Sequence, residues 1–343
     1  MKKVLTVLLA AVMSVSLFAG CSNSGEGGQG SASTPGSDSP VANQEQGKQL
    51  KIGIVQYMDH PSLNTIRESL VAELATLGYK DKENVAIDYK NSQGDQVNLN
   101  SICQKFVSDK KDLIIAIATP AAQAAASATS DIPVLFSAVT DPVAAKLVAD
   151  LNKPGRNVSG TSDAIPVDKI FDLALKLTPN VKKIGLLYST SEANSLSVIS
   201  DAKKVAKEKN LEVVETGITN VGELQQAAQS LISKTDAIFT PIDNQVASAM
   251  STLSKVGIDA KKPVYVGADS MVSDGGFATV GINYTELGKK TAEMAKEIFE
   301  GKTVADMPVQ TLSDFGTVIN ETTASKIGVT VPEDILSGAQ IVK

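Results

Sequence analysis

Residues 51–57, Lys51-Ile52-Gly53-Ile54-Val55-Gln56-Tyr57, form a short and almost unbroken apolar run that turns polar at its end. An amphipathic stretch at 62–77 follows, and then a second β-branched run at 84–90. A strand covered on both faces reads as a continuous apolar run, whereas a half-exposed strand alternates, so this stretch predicts a parallel strand–helix–strand unit. The pattern continues with strands at 113–118, 133–139 and 158–161 and helices at 96–108 and 121–129, which makes one doubly wound lobe. A second series then begins: strands at 183–188, 212–217, 237–241, 263–268 and 278–282, with helices at 194–209, 221–233 and 245–257. The chain is therefore expected to be α/β, with two lobes built on parallel sheets. In open parallel sheets ligands bind beyond the carboxyl ends of the strands, so a ligand cleft is expected between the lobes, lined by post-strand loops.

A chain of 343 residues is long enough for two such lobes. Its 43% hydrophobic, 20% charged and 4% aromatic content is that of a soluble α/β protein. The net charge of -6, with both signs mixed along the chain, offers no basic face for a phosphate backbone, so no nucleic-acid partner is expected.

The N-terminus carries a separate message. Met1-Lys2-Lys3 is a positive start, 4–18 is an apolar run of secretory length, and Ala19-Gly20 supplies the small residues a signal peptidase requires. Residues 1–20 are expected to be a signal peptide, too short to span a membrane. Cys21 after Leu17-Phe18-Ala19-Gly20 resembles a lipobox, although Phe18 stands where Leu, Val or Ile is usual. Lipidation at Cys21 would hold an exported protein on the outer face of the cell membrane, the anchor being its only membrane contact. Residues 21–49, rich in Gly, Ser, Pro, Asn and Gln, read as a tether.

The post-strand loops are small and polar. Thr119 before Pro120 and Asp141 before Pro142 read as helix N-caps with proline in the first turn, leaving N–H groups that can receive a carboxylate. An ammonium would call for an acid such as Asp243 or Asp141. Capping alone would also account for each of these residues. His60 is the one histidine, and Tyr57, Tyr188 and Phe277 are candidates to stack on a flat ligand, though packing would explain each singly. One histidine and one core cysteine, Cys103, argue against a metal centre or a nucleophilic triad, and Gln56-Tyr57-Met58-Asp59-His60 is no dinucleotide fingerprint. No enzyme activity, metal or cofactor is expected.

Lys51-Ile52-Gly53-Ile54-Val55-Gln56 with His60-Pro61, Asn91-Ser92-Gln93-Gly94-Asp95, Ala118-Thr119-Pro120-Ala121-Ala122-Gln123, Thr140-Asp141-Pro142, Glu192-Ala193-Asn194 and Ile242-Asp243-Asn244 together resemble the ABC transporter substrate-binding proteins linked to tryptophan and tyrosine uptake. The resemblance implies a type I periplasmic-binding-protein fold, two Rossmann-like lobes joined by three crossovers, here 50–161 with 283–308 and 162–282 with 309–343. It implies a helix at 286–299 returning to the first lobe. It further implies capture of a free amino acid, an aromatic one foremost, by a monomer that serves an ABC permease and its ATPase. A sugar or nucleoside binder of the same fold is the alternative, the sugar version being weakened by the absence of tryptophan. The candidate ligand set is Gln56, Tyr57, His60, Thr119, Pro120, Ala121, Thr140, Asp141, Ser162, Asp163, Ser189, Asn194, Asp243, Asn244 and Asp269. Within it, loops at Thr119, Thr140-Asp141 and Asp243-Asn244 would hold the α-carboxylate and α-amino groups, with the ring against the Tyr57–His60 loop.

Overall fold

The computed structural model describes residues 49–343; the signal-peptide, Cys21 and tether expectations lie outside them. The first sheet is built from β1 (Leu50–Gln56), β2 (Val85–Asn91), β3 (Leu113–Ile117), β4 (Val134–Ser137) and β5 (Val158–Ser162), all parallel. The register sets Ile54 of β1 between Tyr89 of β2 and Ile115 of β3. β3, β4 and the inner part of β1 are wholly buried, as their apolar runs require. Three helices follow strands of this lobe: α1 (Pro61–Thr76), α2 (Gln96–Ser108) and α3 (Thr119–Ala128).

The chain then passes to the second lobe through α4 (Val167–Leu177), an amphipathic helix beyond those expected from the sequence. β6 (Lys183–Ser189), α5 (Ala193–Glu208), β7 (Glu212–Ile218), α6 (Leu224–Ile232) and β8 (Ala237–Thr240) follow. The helix expected at 245–257 is two helices, α7 (Asn244–Ser248) and α8 (Met250–Ala260), because Ala249 leaves helical geometry at φ -128°, ψ 28°. β9 (Val264–Val266), α9 (Asp269–Ser273) and β10 (Ala278–Gly281) complete the parallel part. On one face of this sheet Phe171 of α4 meets Phe239 of β8 edge to face, with ring centroids 5.2 Å apart.

After β10 the chain returns to the first lobe as α10 (Tyr284–Phe299), which lies along α1. Asn283 starts this helix, its side-chain oxygen accepting from Thr285 N at 2.9 Å and Glu286 N at 3.2 Å. Gly288 lets the two helices approach: a Cβ there would stand 2.0 Å from Ser69 Oγ and 2.5 Å from the Ile66 carbonyl. β11 (Gln310–Thr311) then pairs with β5, so the first sheet holds residues to 311, not only to 308 as the lobe boundary was read. A third passage leads to β12 (Gly316–Asn320), antiparallel to β10, then α11 (Glu321–Ile327), α12 (Glu333–Leu336) and β13 (Ala339–Val342). The orders are β11-β5-β4-β3-β1-β2 and β13-β12-β10-β9-β8-β6-β7. In both sheets the strand order reverses beside the first strand, between β1 and β3 and between β6 and β8, the place where such sheets open a crevice.

Candidate functional site

Those two crevices face each other and enclose a small, nearly filled cavity. Nearly every residue around it follows a strand: His60, Ser62 and Leu63 after β1, Thr119 after β3, Ala138 and Thr140 after β4, Asp163 after β5, Asn194 after β6, Ile242 and Asn244 after β8, and Tyr284 after β10. Ala118 and Ala138, at the ends of β3 and β4, hold positive φ of 82° and 60°. Strain of that kind at non-glycine residues collects at binding sites, where the surroundings hold the backbone in place.

The cavity wall is polar and incompletely satisfied. Among the described residues six buried side-chain polar atoms lack a hydrogen-bond partner, and four of them, His60 Nδ1, Thr119 Oγ1, Asn194 Oδ1 and the Tyr284 hydroxyl, belong to residues of this wall. Buried polar groups are nearly always paired, so a cluster of exceptions in one cavity marks a place made for a polar guest. The Ser62 hydroxyl beside Tyr284 is engaged with Ser270 Oγ at 2.5 Å. Burial and the charges of Asp163 and Asp269 push the Tyr284 phenol far up, so it stays a donor. Asp163 is the carboxylate of the wall: Oδ1 accepts from Thr140 Oγ1 at 2.9 Å, and burial pushes the group up to about 6.

The second acidic group lies behind the wall. Glu192 Oε2 accepts from Asn244 N at 3.2 Å, Asn194 Nδ2 at 3.2 Å and Asn244 Nδ2, while Oε1 accepts from Gln245 N at 3.1 Å. Burial, with Asp243 close by, pushes Glu192 up, while the N–H donors of Asn244 and Asn194 pull it down. Asp243 Oδ2 accepts from Ser189 N at 2.6 Å and Ser195 Oγ at 2.7 Å, and Oδ1 from Val246 N at 3.0 Å, capping α7. Both of its oxygens are thus occupied inside the second lobe, which corrects the expectation that Asp243 meets an ammonium. Asp163 is instead the carboxylate on the cavity wall itself.

Other expectations change as well. Thr119 is the first residue of α3 and not its cap; the cap position is Ala118, and the threonine hydroxyl stays unpaired at the cavity. Asp141 caps a turn, not a helix, through Oδ1 and Ala144 N at 2.9 Å, and its Oδ2 accepts from Ser197 Oγ of α5 at 2.6 Å, across the lobes. Pro120 and Ala121 are buried in the first turn of α3 behind Thr119. Gln56 braces the β1 loop through Met58 O and Asn64 Oδ1, both at 2.8 Å. Ser162 bonds the Thr140 carbonyl at 3.1 Å, Ser189 supports Asp243, and Asp269 borders two other clefts near the crossovers with Asn283. Tyr57 is buried outside the cavity wall, Phe277 packs on Tyr265 at 5.5 Å, and the Tyr188 hydroxyl reaches Glu215 at 3.3 Å, so none of the three is a ring platform in this cavity. Of the fifteen candidates the cavity gathers His60, Thr119, Thr140, Asp163, Asn194 and Asn244. Ser62, Leu63, Ala138, Ile242 and Tyr284 line it without having been candidates. The one sequence signal for Tyr284 was its place next to Asn283, at a predicted crossover.

Among the described residues three side-chain hydrogen bonds span the cleft: His60 Nε2 to Asn244 Oδ1 at 3.1 Å, Ser62 to Ser270, and Ser197 to Asp141. The lobes stand closed.

Residues 51–343 match the family model described as ABC transporter substrate binding protein. The chain belongs to that family. Among substrate-binding relatives it is 46% identical over 322 residues to a protein named tyrosine-binding protein from Clostridioides difficile (strain R20291), covering 94% of this chain and 91% of the relative. It is 42% identical to a solved Streptococcus pneumonia domain in complex with L-Trp, with a TM-score of 0.84 over 86% of this chain and all of that one. A ligand-free, open structure of a substrate-binding protein with adhesive properties from Clostridium difficile is 46% identical over 86% of this chain and 99% of the other, yet superposes with a TM-score of 0.67. The better geometric match thus goes to the L-Trp complex and not to the open protein, although the open protein is nearer in sequence. This agrees with the three bonds across the cleft.

Proposed function

We propose that this chain is the solute-capturing component of an ABC importer for a free aromatic amino acid, tryptophan or tyrosine, held in the cavity between its lobes. The observation that carries the reading is the cluster of unpaired buried polar atoms on that cavity wall, set beside the buried carboxylate of Asp163. An α-amino acid brings what such a wall lacks. Its ammonium suits Asp163, and its carboxylate suits donors such as the Thr119 and Tyr284 hydroxyls. Leu63, Ala138 and Ile242 give the cavity an apolar share for a side chain. The relatives' names, which mention tyrosine and L-Trp, support the same solute class. The protein binds and releases its solute unchanged, and works outside the membrane, held there by lipidated Cys21.

A ligand bound only to the native state stabilises it by RT ln(1 + [L]/Kd), about 2.7 kcal/mol at a hundredfold excess over Kd. Tryptophan or tyrosine is therefore expected to raise the melting temperature in a screen of amino acids, sugars and nucleosides. Mass spectrometry of whatever co-purifies should find the same compound. A sugar or nucleoside that shifts the curve while no amino acid does would overturn the reading.

A further inference from the structure

Asn244 serves both lobes with one amide. Its nitrogen donates to Glu192 Oε2, and the backbone N–H groups of Asn244 and Gln245 fix which way that carboxyl faces. Three other N–H donors, from Asn244, Gln245 and Asn194, favour the ionised form of that carboxyl, and a carboxylate takes an amide nitrogen and repels an amide oxygen. Asn244 Oδ1 is therefore left for His60 Nε2, 3.1 Å away in the opposite lobe. An amide oxygen only accepts, so Nε2 must carry the ring proton. Burial pulls His60 down to about 4, so the ring is neutral at ordinary pH and has a single N–H. Nδ1 is consequently a bare acceptor, buried, without a partner, on a residue of the cavity wall. The second lobe thus sets the tautomer of a first-lobe histidine, and does so only when the cleft is closed.

A buried acceptor discriminates against any ligand that brings it no donor, because it is then left unpaired after closure. The ammonium is already provided for by Asp163, and the carboxylate needs donors, which Nδ1 is not. Resting on the amino-acid reading above, we propose that His60 Nδ1 is the specificity-determining acceptor for a side-chain N–H or O–H, selecting tryptophan and tyrosine over phenylalanine.

Calorimetry on the full chain with the three L-amino acids tests it. The wild type is expected to bind tyrosine or tryptophan on the order of 100-fold more tightly than phenylalanine. In His60→Leu that ratio should fall to within about threefold, because the donor ligand loses its partner and phenylalanine no longer strands one. A wild type that does not discriminate, or a variant that keeps the ratio, overturns the inference and leaves the proposed function standing; a wild type that binds none of the three overturns both. Should His60→Leu fail to fold, the wild type still decides. The chain has one histidine, so an imidazole ¹⁵N spectrum reports His60 alone. Nδ1 should shift from a bare to a hydrogen-bonded position with tyrosine or tryptophan and stay bare with phenylalanine. The same Nδ1 signal with all three ligands overturns the assignment.

Discussion

Two aspartates that look alike in the sequence take opposite parts. Asp163 has one oxygen held by Thr140 and lies on the cavity wall, whereas Asp243 has both oxygens filled by its own lobe. Asp163→Asn is expected to keep or slightly raise the melting temperature without ligand, because burial already disfavours its charge, and to weaken amino-acid binding by about 2–5 kcal/mol. Asp243→Asn should instead unsettle the fold by about 1–3 kcal/mol, since an amide N–H₂ would face the donors Ser189 N and Ser195 Oγ. Urea unfolding and calorimetry on the two variants separate the roles, and the assignment fails if the effects are exchanged. The pH dependence follows with a definite sign. Asp163 must ionise to meet an ammonium, so binding is full above about 6 and lost as pH falls through it. His60 acts in the same direction. Its closed-state value of about 4 lies below the ordinary 6.5, so closure must strip a proton from it and is increasingly opposed as pH drops from 6.5 towards 4. Affinity measured from about pH 8 down to about pH 5 should therefore decline on the acid side; a flat profile would exclude both assignments. The loops that hold the site were legible because small polar residues follow apolar strands. The roles were not, because a cap and a ligand contact use the same residue types, and the difference lies in whether each oxygen is already taken in three dimensions.

At the scale of elements, the parallel strands were the legible part, since burial on both faces leaves an unbroken apolar run. The misses have physical causes. One amphipathic stretch at 245–257 conceals a break at Ala249, which no proline or glycine announces. β11 has only Gln310-Thr311, too short for any periodicity to register. The return of α10 to the first lobe was expected from resemblance alone, yet its contact with α1 gives a test. At Gly288 an added methyl would meet Ser69 Oγ and the Ile66 carbonyl, and backbone cannot yield as a side-chain tip can. Gly288→Ala should thus cost about 1–3 kcal/mol by forcing the helices apart, although alanine is the better helix former. A stability equal to or above wild type in urea unfolding would show that the helices separate freely.

At the scale of the whole molecule, Asp141 and Ser197 join the lobes without lining the cavity. Removing this bond leaves the ligand's own contacts intact and shifts only the balance between open and closed forms. Ser197→Ala is expected to weaken binding by about 3- to 10-fold, equally for every ligand and through faster release. Calorimetry across several amino acids checks it, and a loss confined to one ligand would place Ser197 in the site itself. The three passages between lobes have a further effect on how the chain comes into being. The first lobe lacks α10 and β11 until residues 284–311 exist, by which point most of the second lobe has been made. Its contacts between α1 and α10 close over more than two hundred residues of intervening chain, the kind of long-range pairing that folds slowly. A chain growing from its N-terminus must therefore carry half-built strands and helices almost to the end of translation, and a stop codon after residue 283 would cost the lobe that was begun first.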